Sequence, residues 1–106
     1  MFNTLPPEDL LYSRDPRTEF VLDIRENAEL SPTELPSNSH IPYSELADRI
    51  NEIPSDKRIL VICNDGKKSE MARNFIEGYA RYPDVYAVSG GMEAIKEALV
   101  SSKRAG

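Results

Sequence analysis

Residues 58–70 read RILVICNDGKKSE, and this stretch decides how the rest of the chain is read. The unbroken apolar run Ile59-Leu60-Val61-Ile62 has no polar alternation, as expected of a central parallel strand covered on both faces. The chain's single cysteine, Cys63, stands where that run gives way to a glycine and two lysines. From Ser69 onward the apolar positions Met71, Ala72, Phe75, Ile76, Tyr79 and Ala80 form a wide helical stripe that must end before Pro83. Strand, short loop and helix therefore follow one another around the sulfur.

In an open α/β sheet the ligand crevice lies beyond the carboxyl ends of the strands. The loop Asn64–Ser69 then turns its backbone N–H groups and the positive end of the helix toward Cys63, a nest that suits an anion. Such surroundings raise the thiolate fraction and make a nucleophile, which predicts a partly exposed Cys63. Lys67 and Lys68 add charge of the useful sign, Asp65 opposes them, and Gly66 permits a turn that a side chain would hinder. Against this stands the plain alternative: free cysteines are among the most buried residues, and one at a strand end is as a rule simply core. The residues of the loop by themselves leave both readings open.

Outward from the loop, Tyr43, Leu46, Ala47, Ile50 and Ile53 recur at helical spacing until Pro54 stops them. EFVLDIR, residues 19–25, gives a short buried strand over Phe20–Ile24. LPPEDLLYSRD, residues 5–15, predicts a short helix with Pro7 near its first turn. NAELSPTELPSNSHIP, residues 27–42, carries three prolines and reads as loop, with room for a polar edge strand near Asn38–Ile41. VYAV at 85–88 is another strand, SGG at 89–91 a turn, and Met92, Ile95, Ala98 and Leu99 mark a last helix before a polar tail at 101–106. Strands alternating with helices indicate a single α/β domain over 1–106 with a largely parallel sheet.

Composition narrows the function. The 106 residues allow one real core, and the 40% hydrophobic and 29% charged content is that of an ordinary globular chain. No apolar run approaches the roughly 20 residues that span a bilayer, and MFNTLPPEDL lacks a signal-peptide pattern, so a cytoplasmic setting without membrane contact is expected. One cysteine excludes an internal disulfide, a CxxC redox pair and a cysteine-rich zinc site. A net charge of −5 argues against nucleic acid as a partner. Gly90 and Gly91 read as turn residues, because no Gly-x-Gly-x-x-Gly pattern exists. No metal and no cofactor is called for.

CNDGKKS, residues 63–69, resembles the active-site loop of the rhodanese family, Cys-x-x-Gly-x-Arg-Ser, with Lys68 in the arginine's place. VLDIREN resembles the family's Asp-x-Arg-Glu stretch through Asp23, Arg25 and Glu26. IPYSELADRINEIPSDKRILVIC resembles its helix, proline turn and central strand, and VYAVSGGMEAI its last strand, double glycine and closing helix, with Ile95 where tryptophan is frequent. The likeness runs through nearly the whole chain in order. Counted without gaps from Asp23, the family's His-Ile-Pro-Gly-Ala segment falls on Glu34-Leu35-Pro36-Ser37-Asn38, so the chain lacks that histidine and the Gly-Ala pair. His40 is then an exposed edge residue and not a general base.

The resemblance implies an α/β fold with a small, mainly parallel sheet of four to five strands and helices on both faces. It implies a sulfurtransferase: the Cys63 thiolate takes a sulfane sulfur from a small anionic donor such as thiosulfate and passes it to a thiol, a protein acceptor or cyanide. The amides of Asn64, Asp65, Gly66, Lys67, Lys68 and Ser69 would hold the persulfide's charge, as an oxyanion hole does. Lys68 would draw the donor, although lysine cannot reproduce arginine's bidentate fork. Ser69 would cap the helix through its hydroxyl, and Asp23 and Arg25 would form a supporting ion pair. A cysteine phosphatase needs Cys-x5-Arg, and the residue six past Cys63 is Ser69. The standing rival is a docking or regulatory module of the same fold without turnover, favoured by Asp65 and Lys68 and opposed by Cys63 and Gly66. Donor, acceptor and oligomeric state stay open.

Overall fold

The computed structural model describes residues 4–6, 17–26, 39–64, 66–79, 82 and 84–105. Five strands form one sheet: β1 (Thr4–Leu5), β2 (Glu19–Asp23), β3 (Ser39–His40), β4 (Arg58–Ile62) and β5 (Val85–Val88). Their order is β1-β5-β4-β2-β3, and every pair is parallel. The apolar run Ile59-Leu60-Val61-Ile62 thus lies in the middle strand, and β2 and β5 flank it. Register brings Asp23 opposite both Ile62 and His40, so the carboxyl ends of β2, β3 and β4 finish level with one another. The edge strands β1 and β3 are two residues each, short enough to offer little template for pairing with another chain.

Alternation along the strands sorts the core into two layers. Leu22, Ile24, Ile59, Val61, Cys63 and Val85 face one way and meet Ala72 and Ile76 of helix α1 (Lys67–Glu77), with Leu46, Ile50 and Ile53 beside them. Val21, Leu60, Ile62 and Val88 face the other way and meet Met92 and Ile95 of helix α2 (Gly91–Ala105). The sheet is therefore covered on both faces, as its all-apolar middle strand requires.

Four sequence expectations change. The segment expected to be one helix over Tyr43–Ile53 is two 3-10 turns, Tyr43–Glu45 and Ile50–Glu52. The pairs Tyr43/Leu46 and Ile50/Ile53 are each three apart, which suits the three-residue 3-10 repeat, and Ala47 is left exposed. The Tyr82 hydroxyl, 2.9 and 2.8 Å from the carbonyls of Ile50 and Ile53, shares its one proton between them and pins this segment to the core. Helix α1 begins at Lys67, two residues before the expected start, and ends at Glu77, so Tyr79 of the expected stripe lies beyond it; Met71 and Phe75 on the helix and Tyr79 after it remain exposed. Helix α2 runs on through Ala105, across most of the expected tail, because 101–105 contain no breaker. The strand β1 had no signal in the sequence. The helix expected over 5–15 is corrected at its start, where Leu5 lies in β1; residues 7–15 and the family-aligned segment 34–38 lie outside the described residues.

Candidate active site

Cys63 follows β4 directly, at the carboxyl edge of the sheet, and the next described residues turn the chain sharply into α1. Gly66 is the N-cap of α1 with φ +93°, a left-handed conformation that a side chain would strain. The cap has no side-chain acceptor of its own; the sulfur does that work. Gly66 N–H donates to Cys63 Sγ at 3.0 Å, and Ser69 N–H, the third amide of the helix, donates at 3.3 Å. The first amides of any helix lack intrahelical partners, and here two of them converge on one sulfur. A negative sulfur at this place gains both donors and the positive end of the helix.

The expected helix cap by the Ser69 hydroxyl is corrected. Its Oγ–H donates backward to Gly66 O at 2.9 Å, which fixes the turn and leaves the Ser69 amide for the sulfur. The expected exposure of Cys63 is corrected too: the residue is 2% exposed. Because α1 starts two residues early, its first turn folds over the sulfur, and Cys63 packs into the core layer beneath α1. Asn64, Lys67 and Lys68 are exposed at the rim, Lys67 and Lys68 inside the first helical turn and not in the loop. Asp65 lies outside the described residues.

Below the loop sits the double glycine. The first amides of α2 hold the cysteine backbone: Met92 N–H donates to Cys63 O at 2.6 Å and Glu93 N–H to Asn64 O at 3.1 Å. Gly90 and Gly91 both have positive φ, +75° and +62°. A Cβ on Gly91 would lie 2.5 Å from Cys63 O and 2.7 Å from Gly66 N, and one on Gly66 would lie 2.9 Å from Gly90 N. The pair turns the chain, as the sequence indicates, and it also lets two backbones meet with no side chain between them. That second role depends on contacts across 28 positions (91 − 63) and has no local signal.

On the β2 side, Asp23 and Arg25 form a buried ion pair. Arg25 Nη2 donates to Asp23 Oδ2 at 2.8 Å, Nε lies 3.1 and 3.2 Å from the two oxygens, and the Arg25 amide adds a bond at 3.0 Å. Arg25 Nη1 is buried with no hydrogen-bond partner, so the pair is anchored by one edge of the guanidinium. His40 corrects its expected exposure: it is half-buried, and its Nε2 lies 2.6 Å from the Arg25 carbonyl. A carbonyl only accepts, so Nε2 carries the proton. Glu26 accepts from the amide and hydroxyl of Ser44 at 2.9 and 2.8 Å. The Ser44 amide first, then its hydroxyl, hold the Glu26 carboxyl below its ordinary range, and Lys68 and His40 add to this electrostatically. This clasp joins the end of β2 to the first 3-10 turn and was not evident from residues 18 positions apart.

Among the described residues no group of three or more metal-ligating side chains gathers, and no helix is long and apolar enough to cross a membrane. A cleft of about 410 Å³ lined by Thr18, Ser55, Asp56, Lys57, Arg58 and Asp84 lies at the amino ends of the strands, the wrong end of a parallel sheet for the cysteine's chemistry.

Comparison with known proteins agrees with this geometry. The chain is 32% identical over 92 residues to a protein named thiosulfate sulfurtransferase GlpE from Pseudomonas syringae, covering 87% of this chain and 85% of that one. A second GlpE, from Pseudomonas putida, is likewise 32% identical over 92 residues, covering 87% and 83%. Among solved structures, a rhodanese-related protein of Thermoplasma volcanium superposes with a TM-score of 0.75 at 30% identity, covering 92% of this chain and 93% of that one. A NAD-dependent persulfide reductase from A. fulgidus matches at 30% identity and a TM-score of 0.65 over 88% of this chain, which spans only 16% of that longer protein. The Rhodanese-like domain profile matches residues 8–98. With that match spanning strand, cysteine turn and double glycine alike, the chain belongs to the rhodanese-like domain family.

Proposed function

We propose that this protein is a sulfurtransferase in which Cys63 carries a sulfane sulfur. The observation that carries the reading is the convergence of the Gly66 and Ser69 amides on Cys63 Sγ at 3.0 and 3.3 Å, at the start of a helix. Similarity to proteins named thiosulfate sulfurtransferase supports thiosulfate as the donor.

The Cys63 thiolate attacks the outer sulfur of thiosulfate. The S–S bond of the donor breaks, its electron pair leaves with sulfite, and Cys63 becomes a persulfide anion. An acceptor thiolate or cyanide then attacks the terminal sulfur, and the electron pair of the Sγ–S bond returns to Cys63. In each step the electron pair of the broken S–S bond leaves with the departing sulfur, so the transfer balances without an external oxidant. The amides at the head of α1 stabilise negative sulfur at each stage. Lys68 at the rim draws the anionic donor, and the Asp23–Arg25 pair holds the end of β2 in place beside the loop. A free thiol is essential, which fits a reducing, cytoplasmic setting.

The test is turnover of thiosulfate and cyanide to sulfite and thiocyanate. The wild type should form both products in equal amounts, and Cys63→Ser should form neither while keeping its folded far-UV spectrum. A wild type that forms neither product would leave the docking-module reading in its place.

A further inference from the structure

We infer that Glu26 is a specificity-determining residue: its carboxylate, fixed beside the cysteine loop, offsets Lys68 and turns the site toward sulfur donors with one negative charge rather than two. The inference rests on the sulfurtransferase reading above and names the class of donor, a small persulfide or thiosulfonate monoanion in preference to a dianion.

Glu26 stands three residues past Asp23, at the edge where the carboxyl ends of β2 and β4 lie level. The backbone that carries it is tied on both sides. Ile24 N–H donates at 3.0 Å to the carbonyl of Ile62, the residue before Cys63, and Ile24 O accepts from Tyr43 N–H at 3.0 Å. The side chain is held as firmly. Oε2 accepts from the Ser44 amide at 2.9 Å and Oε1 from the Ser44 hydroxyl at 2.8 Å, so both oxygens are engaged and the carboxylate cannot swing away. Two donors on one carboxylate also favour its charged form. The neighbouring Asp23 and Arg25 are paired with one another at 2.8 Å, and His40 Nε2–H donates to the Arg25 carbonyl. Lys68, from the first turn of α1, and more weakly His40 act on Glu26 electrostatically.

Lys68 therefore does not face a donor alone. Its ammonium is a point charge on a flexible stem, next in sequence to Ser69, whose amide donates to Cys63 Sγ at 3.3 Å. Cys63 is 2% exposed, so only the sulfur being transferred reaches it. The donor's charged remainder stays at the rim, within reach of both charges. Attraction to Lys68 and repulsion from Glu26 each grow in proportion to the donor's charge. Lys68 by itself would favour a dianion. Glu26 cancels that preference, and the chain's net charge of −5 leaves the monoanion ahead.

The test compares thiosulfate with methanethiosulfonate, which presents the same outer sulfur on a sulfonyl group with one charge fewer. In either case the Cys63 thiolate attacks the outer sulfur, the donor's S–S bond breaks, and its electron pair leaves on sulfite or on methanesulfinate. Cyanide then takes the sulfur from Cys63, and thiocyanate is measured. Glu26→Gln keeps an oxygen for Ser44 and removes the charge. It should raise kcat/KM about fourfold for thiosulfate and about twofold for methanethiosulfonate, because an exposed charge contact is worth a small factor and a dianion feels it squared. The ratio of the two constants, thiosulfate over methanethiosulfonate, should thus rise about twofold in Glu26→Gln and about fourfold in Glu26→Lys. Loss of folded protein lowers both constants alike and cancels in the ratio. Added salt should bring the three proteins together. A Glu26 with a structural role alone would move both donors by one factor; a ratio that stays at its wild-type value in both variants would overturn the inference. So would a change in ratio that salt leaves untouched. A wild type that makes no thiocyanate from either donor would instead remove the sulfurtransferase reading and this one with it.

Discussion

Cys63 occupies the position that a capping side chain normally fills. The amides of Gly66 and Ser69 need an acceptor, the cap residue has none to give, and the sulfur supplies it. On the proposed reading, structural need and chemical use coincide at this one atom. Lys68 acts differently, as an exposed point charge at the rim. If it draws the donor, Lys68→Glu should raise KM for thiosulfate roughly two- to thirtyfold. Each exposed charge contact is worth about 0.2–1 kcal/mol, and reversal counts it twice. Added salt should narrow the gap. Lys68→Arg should preserve or improve turnover. Steady-state kinetics of both variants decide it, and unchanged constants would leave the amides alone responsible for the anion.

The elements that meet under the loop make the site rigid. Helix α2 donates its first amides to Cys63 O and Asn64 O, and Gly91 allows the approach. Gly91→Ala should cost at least about 1–2 kcal/mol for the left-handed backbone alone. A Cβ 2.5 Å from Cys63 O must also lift the loop, so sulfur transfer should fall further than stability. Urea unfolding together with the thiosulfate assay would show this; a variant with wild-type turnover would mean that the loop does not need α2. The sequence made β4 legible because its apolar run is strand-length, rich in β-branched residues and followed at once by a glycine-containing turn, which suits a strand covered on both faces. It made the cysteine turn legible because a glycine and a helix start follow within a few residues. It misplaced the start of α1 because lysines are poor markers of a helix N-terminus. The 3-10 segment was misread because spacings of three and four serve both helix types. The Glu26–Ser44 clasp and the α2 contact join residues far apart in the chain, and no local pattern encodes them.

At the scale of the molecule, two carboxylates tie surface segments down and make stability depend on pH. The Ser44 bonds lower Glu26, and the Arg49 side-chain bond lowers Glu52, both from an ordinary value of 4.5. A carboxyl lowered in the folded state binds fewer protons there than in the unfolded chain. Its stabilisation is full above about pH 4.5 and is lost as pH falls through the lowered value. Unfolding midpoints should therefore drop on acidification below pH 4.5, and Glu26→Gln should flatten part of that fall; parallel curves would contradict the clasp. The same molecule places an all-parallel sheet, two helix N-termini and one sulfur at a single edge, and the claim that unites them is a covalent sulfur on Cys63. Intact-mass spectrometry of the protein after thiosulfate treatment tests it most directly. The wild type should gain the mass of one sulfur atom and lose it on adding cyanide, while Cys63→Ser gains nothing. A wild type that stays at its original mass, or a Cys63→Ser protein that gains the same increment, would contradict it.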